Sequence, residues 1–294
     1  MKRVLITGIT GYIGSRLARA LLLEHAVSGL VREPLNTTYL PSDLLEKITL
    51  LPCDGTGESV QAALEASCPD VVYHLAAHYT SARKMEDVRQ MVQSNLAFGA
   101  ELLAALCETG CQKLVYATTV TTHSMEGHYQ PLSFYAATKQ AFSDLVEFYT
   151  SAGLISAVAI ALADTYGPGD CRPKVLNLVR QAALDGTPID LTLGNQIFDV
   201  TYIDDVTRAF IGASDLLNDA PHQFFQLGSE NPRTLSESVE LMLQVNSLTL
   251  RATWGGRPEP ERQLREKLRV YPAPPNWKPE VPLEEGLRRF CAET

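Results

Sequence analysis

Along the first half of the chain, short apolar runs alternate with stretches of helical periodicity. VLIT (4–7) leads into a helix over about 14–24, AVSGLV (26–31) reads as a second strand and ITLLPC (48–53) as a third. A helix over 60–66, the run VVYHLAA (71–77) and a long helical stretch from about 88 to 109 follow. KLVYATT (113–119), a helix over 134–152 and ISAVAIALA (155–163) complete the pattern. Strands that are apolar throughout, with no alternation, are buried on both faces. Interleaved with helices, they predict an α/β fold, a Rossmann-type doubly wound parallel sheet. The pattern changes after Tyr166-Gly-Pro-Gly-Asp170, and residues 250–282 hold seven of the seventeen prolines. We therefore expect a dinucleotide-binding domain over 1–164, to which 198–218 returns. Residues 165–197 and 219–294 form a smaller, C-terminal substrate-binding region.

The first loop is rich in glycine. Thr7-Gly8-Ile9-Thr10-Gly11-Tyr12-Ile13-Gly14 follows the first strand and opens the first helix. Glycines there let a pyrophosphate approach backbone amides and the positive end of the helix dipole. The spacing is G-x-x-G-x-x-G, so its weight comes from its place between strand and helix. At the end of the second strand an acidic residue binds the ribose of NAD, whereas arginine favours the 2′-phosphate of NADP. The sequence reads Val31-Arg32-Glu33. Arg32 favours NADP(H), and Glu33 leaves NAD(H) open.

Tyr135-Ala-Ala-Thr-Lys139 lies early in a predicted helix, and positions i and i+4 share a face. An ammonium beside a phenol is expected to lower the tyrosine pKa and to hydrogen-bond a ribose. Thr118 and Thr119 close the preceding strand, where ligands sit in open α/β sheets, and a hydroxyl there suits a substrate carbonyl.

Composition narrows the partners. The 294 residues carry a net charge of −9 and no Lys/Arg block, which argues against nucleic acid or an anionic membrane. The same balance repels an anionic cofactor at a distance, so local groups must hold one. No signal peptide is expected at MKRVLITGIT, and the longest apolar run, 154–163, is too short to span a bilayer. Six cysteines without a C-x-x-C pair suit a reduced cytoplasm. His74, His78, His123 and His128 lack accompanying carboxylate or cysteine spacing, so no metal site is expected.

Together these motifs resemble the extended short-chain dehydrogenase/reductase superfamily, in its NAD-dependent epimerase/dehydratase group, over almost the whole chain. TGITGYIG is similar to its cofactor loop, with Gly8, Gly11, Tyr12, Ile13 and Gly14. Cys53-Asp54 matches the segment whose Asp touches adenine, and His74-Leu75-Ala76-Ala77 the segment beside the cofactor. Asn95 matches a supporting Asn, and Thr119, Tyr135 and Lys139 the catalytic group. ADTYGPGD (163–170), FDVTYIDDV (198–206), Trp277-Lys-Pro and Leu283-Glu-Glu-Gly-Leu287 match later landmarks. Against this alignment Val31 takes the usual acidic position and Arg32 follows it.

The resemblance implies a nucleotide-linked sugar as substrate. The short interval from Thr119 to Tyr135 is similar to the CDP-abequose synthase type, which reduces a 4-keto-6-deoxyhexose. It also implies a homodimer through the helices carrying Asn95 and Tyr135. Three departures concern the nucleotide: Asp164 replaces the landmark Asn, Phe198 an Arg, and Ala161 another Arg. Arg257 matches a second family arginine, and Arg172 and Lys174 are placed to compensate. A 4-epimerase with tightly held NAD, and a reductase acting on a carbonyl without a nucleotide, remain open. A non-catalytic NADP-binding regulator is a fourth reading, and the presence of both Tyr135 and Lys139 counts against it.

Overall fold

A computed structural model describes residues 1–81, 84–123, 128–229, 231–260, 262–263 and 270–292. The chain runs β1 (Arg3–Thr7), α1 (Tyr12–Leu21), β2 (Ala26–Val31), α2 (Ser42–Leu45), β3 (Thr49–Pro52), α3 (Gly57–Ser67) and β4 (Val71–His74). Next come α4 (Met85–Val92), a π-helical turn (Gln93–Ala97), α5 (Phe98–Thr109), β5 (Lys113–Thr119), α6 (Phe134–Ser151) and β6 (Ser156–Leu162). The remainder comprises β7 (Asp164–Tyr166), α7 (Val175–Asp185), β8 (Pro188–Leu191), β9 (Ile197–Phe198), β10 (Val200–Tyr202), α8 (Ile203–Ala213), β11 (His222–Gln226), β12 (Arg233–Thr234), α9 (Leu235–Val245), β13 (Arg251–Trp254) and α10 (Leu283–Ala292).

Seven of these strands form one parallel sheet in the order β11-β6-β5-β4-β1-β2-β3. Successive side chains of a strand point to opposite faces. Val4 and Ile6 accordingly enter the core layer shared with Leu17, Val206 and Phe210, contributed by α1 and α8. Leu5 enters the opposite layer with Leu64, Leu102, Phe142 and Val146, from α3, α5 and α6. Two buried faces explain why these strands read as unbroken apolar runs. The strand order reverses between β1 and β4, and in open α/β sheets the crevice at such a switch point holds the ligand.

A third layer gathers Tyr12, Tyr166, Leu176, Val200, Val239 and Phe290. It packs α7, α9 and α10 beyond the carboxyl end of the sheet. One boundary expected from the sequence moves. Residues 222–226, placed in the smaller C-terminal region by their pattern, instead form β11, which pairs with β6 in the large sheet from His222↔Ala157 to Gln226↔Ala161. His-Gln-Phe-Phe-Gln lacks an unbroken apolar run because an edge strand has one open side.

The long helical stretch predicted from 88 to 109 is interrupted by the π-turn around Asn95, and its end is set by Gly110 at φ 75°. Ser133 caps α6, accepting the Ala136 N–H at 3.1 Å, and so places Tyr135 in the first turn. Among the described residues no helix is long and apolar enough to cross a membrane.

Candidate active site

The glycine loop meets the segment after β4 with no room for side chains. A Cβ on Gly8, which sits at φ 73°, would lie 2.6 Å from the Ala76 nitrogen. One on Gly14 would lie 2.2 Å from the Gly8 carbonyl oxygen. Thr7 ties the two segments together: its Oγ1 accepts the Ala76 N–H at 3.2 Å and contacts His74 Nδ1 at 2.8 Å. The first turn of α1 carries no acidic side chain, so its amide end is open to an anion. A cradle that any Cβ would fill, at a helix N-terminus on the switch point, fits a dinucleotide pyrophosphate.

Leu75, Ala76 and Ala77 border this cradle. Asp54 and Arg32 lie exposed beyond the ends of β3 and β2. Asp54 Oδ1 accepts the Thr56 N–H at 3.0 Å and the Thr56 hydroxyl at 2.7 Å, which holds the carboxyl down at about 2. Asn95 lies buried in the π-turn, a device common at functional sites. Its amide clasps the chain after β4, with Oδ1 accepting the His78 N–H at 2.7 Å and Nδ2 donating to the His78 carbonyl at 2.9 Å. Nδ2 also donates to Thr138 Oγ1 at 3.1 Å. It thereby fixes the position of α6.

Thr119, Tyr135 and Lys139 come from adjoining elements at this end of the sheet. Thr119 is 8 % exposed, and its hydroxyl lies 2.9 Å from that of Thr121. Thr121 is a candidate that sequence reasoning missed; the only signal is a second threonine two residues past the strand end. Tyr135 is half-buried, and its ring stands edge-on to Tyr79 with centroids 5.1 Å apart.

Here the structure corrects an expectation. The phenol is not lowered: burial, aided by Tyr79, pushes it up to about 12, against an opposing pull from Arg172. Lys139 is 2 % exposed, and burial pulls its ammonium down to about 8. His74 is fully buried, held neutral by burial and by the nearby Lys139, with its pKa down at about 3.

Two of the three candidate substrate cations are already engaged. Arg172 donates from Nε and Nη2 to the two oxygens of Asp170, each at 2.7 Å, and from Nη2 to the Thr165 carbonyl at 2.9 Å. Its guanidinium also lies 4.7 Å from the Tyr12 ring centroid. Lys174 Nζ lies 2.6 Å from Asp164 Oδ1. In this structure each cation is thus paired with a carboxylate of its own segment. Arg257 is exposed past the end of β13, its backbone N–H on the Leu191 carbonyl. Among the described residues no group of three His, Cys, Asp or Glu is placed to hold a metal ion.

Residues 4–228 match the family described as the NAD dependent epimerase/dehydratase family. The chain belongs to that family. It is an enzyme of the extended short-chain dehydrogenase/reductase type, which is what its motifs resemble. Among curated relatives it is 26 % identical to UDP-glucuronate 4-epimerase 1 of Arabidopsis thaliana, over 98 % of this chain and 75 % of that protein. It is 21 % identical to CDP-abequose synthase of Salmonella muenchen, over 99 % of this chain and 97 % of that one. The crystal structure of UDP-glucuronic acid 4-epimerase from Bacillus cereus, in complex with UDP-glucuronic acid and NAD, superposes with a TM-score of 0.83. It is 22 % identical and 98 % of each chain is covered. UDP-glucose 4-epimerase of Thermotoga maritima, with UDP-glucose, gives 0.84 at 19 % identity, over 98 % of this chain and 97 % of that one. At these identities the solved structures establish the fold.

Proposed function

We propose that this enzyme reduces the 4-keto group of a nucleotide-linked 4-keto-6-deoxyhexose, using NADPH. The observation that carries the reading is the placement of Tyr135 in the first turn of α6, with the paired hydroxyls of Thr119 and Thr121 at the end of the adjoining β5. Burial pushes its phenol up, so that it remains protonated at neutral pH. A group in that state donates a proton to a developing alkoxide.

Gly8, Gly11 and Gly14, with Tyr12 and Ile13, would hold the pyrophosphate, Asp54 the adenine, and Lys139 the nicotinamide ribose. Arg32 would meet the 2′-phosphate, since Val31 offers no carboxylate to a ribose hydroxyl. When bound, the reduced nicotinamide supplies hydride to the carbonyl carbon. Thr119 and Thr121 hold the carbonyl oxygen, and Tyr135 transfers its proton to that oxygen as charge develops. A proton delivered by a positioned acid contributes about 10²–10⁴-fold.

A second reading is supported by the relatives that are 4-epimerases. There NAD stays bound and Tyr135 begins as a base, which requires the cofactor's positive charge to pull the phenol down. We also propose a homodimer through the helices carrying Asn95 and Tyr135; on the latter, α6, Phe134 and Phe148 are exposed at 41 % and 64 %, and a monomer in light scattering would contradict it.

The deciding experiment compares oxidation of NADPH and NADH with CDP- and dTDP-linked 4-keto-6-deoxyhexoses. Substrate-dependent loss of NADPH absorbance supports the reductase and Arg32. Preference for NADH keeps the reductase and removes Arg32 from cofactor choice. No oxidation of either, together with NAD that co-purifies, favours the epimerase.

A further inference from the structure

We propose that Tyr271 is a positioning residue: from the C-terminal region it braces the connection between β5 and α6, and so holds the Thr119 and Thr121 hydroxyls in place against Tyr135. This rests on the reading of those three groups as the reacting set, and it holds for reduction and epimerisation alike.

The connection is irregular chain with chemistry at both ends. β5 runs out through a 3₁₀ turn, Val120–Thr122, into His123, which faces Tyr129 across a single antiparallel bridge. The returning segment donates the Gln130 N–H to the Thr122 carbonyl at 3.1 Å and the Leu132 N–H to the Thr121 carbonyl at 2.9 Å. Ser133 then caps α6, and Tyr135 follows in its first turn. On the outgoing side, Thr122 Oγ1 donates to the Thr119 carbonyl at 3.3 Å and lies 2.8 Å from His123 Nδ1. The position of His123 is thereby passed back to Thr119 and, through the bridge, forward to α6. A ribbon with so few hydrogen bonds opens locally unless something packs on it.

Two residues of the C-terminal region reach this ribbon. The Tyr271 ring stands edge-on to His123, with centroids 5.9 Å and planes 89° apart, and Tyr129 meets the same imidazole edge-on at 6.2 Å. Arg262 Nη1 donates to the Pro131 carbonyl at 2.8 Å. Tyr271 is in turn anchored to the large sheet, where its ring stacks on Phe224 of β11 with centroids 5.1 Å apart. Gln226 is buried at the end of that edge strand. Its Oε1 accepts the N–H groups of Val270 at 3.0 Å and Tyr271 at 3.4 Å, while its backbone N–H donates to the Pro272 carbonyl at 2.8 Å. The ring pressed against His123 is therefore rooted in the sheet that also carries Thr119. Misplacing a reacting group by about an ångström is enough to cost about a hundredfold in rate.

The test combines hydrogen exchange and turnover in the full-length protein. Tyr271→Ala removes the ring, and Tyr271→Phe keeps both ring contacts. Gln226→Met removes the acceptor at similar volume, and it carries the test if the Ala variant fails to fold. In Tyr271→Ala and Gln226→Met the amides of 129–133 should exchange at least about tenfold faster, with those of 3–21 unchanged and Tyr271→Phe like the wild type. NADPH oxidation with CDP- and dTDP-linked 4-keto-6-deoxyhexoses should show kcat lower by about ten- to a hundredfold in the same two variants, and titration should show the NADP⁺ Kd within about twofold of the wild type. Unchanged exchange in both variants, or faster exchange with kcat untouched, overturns the proposal. A Phe variant as impaired as the Ala variant also overturns it, since the ring contacts would then not be what counts. Exchange needs no substrate: if the wild type oxidises neither cofactor, the reductase reading falls by itself, and exchange still decides whether Tyr271 holds the ribbon.

Discussion

Lys139 offers the sharpest quantitative test of the site. It is 2 % exposed, and burial alone pulls its pKa from 10.5 to about 8. A tenfold change in protonation equilibrium corresponds to about 1.4 kcal/mol, so holding this ammonium in the core costs the fold about 3 kcal/mol. Below pH 8 the folded and unfolded chains are both protonated, and the whole cost is present. Between about 8 and 10.5 the unfolded chain binds a proton that the folded chain lacks, so stability rises with pH; above 10.5 the cost has gone.

Lys139→Met keeps the length of the side chain and removes the charge. At neutral pH the variant should be more stable than the wild type by about 3 kcal/mol, with the gain vanishing above about pH 10.5, while turnover collapses. Urea unfolding at about pH 7, 8.5 and 10 reads the difference directly. A variant no more stable than the wild type at neutral pH, or a gain independent of pH, would refute the reasoning. The same argument fixes the sign for the cofactor. A ribose hydroxyl accepts a stronger, charge-assisted hydrogen bond from the ammonium than from the neutral amine, so cofactor affinity should weaken as pH rises through about 8.

Three further outcomes follow from the same geometry. Tyr135→Phe should slow turnover by about 10²–10⁴-fold and leave the cofactor Kd nearly unchanged; undiminished turnover removes Tyr135 from the chemistry. Arg32→Ser should weaken NADPH by about ten- to a hundredfold, the worth of a charge-assisted hydrogen bond, with NADH unaffected. An equal loss for both cofactors would mean that Arg32 does not read the 2′-phosphate. Gly14→Ala places a Cβ 2.2 Å from the Gly8 carbonyl, so dinucleotide binding should be lost and the thermal midpoint lowered. Intact binding in a fluorescence titration would show that the loop yields without cost.

What the sequence discloses depends on whether a residue's role is local. β2 and β5 coincide with their predicted spans because a strand buried on both faces carries apolar residues on both, without strict alternation. The glycine loop is legible for a similar reason, since contact between backbones leaves glycine as the residue that fits. β11 escapes detection because an edge strand tolerates His222, Gln223 and Gln226. Thr121 escapes because nothing in its spacing distinguishes it from a solvent-exposed threonine.

Charges are the hardest to read. Arg172 and Lys174 look like free phosphate cations until the fold brings Asp170 and Asp164 to within 2.7 and 2.6 Å. The Tyr135/Lys139 spacing likewise suggests a lowered phenol pKa, yet burial acts on both groups and drives them toward their neutral forms. The motif alone thus identifies a tyrosine and a lysine on one helical face. Burial keeps the Tyr135 phenol protonated and pulls the Lys139 ammonium down, and the hydroxyls of a bound ribose are suited to accept from that ammonium.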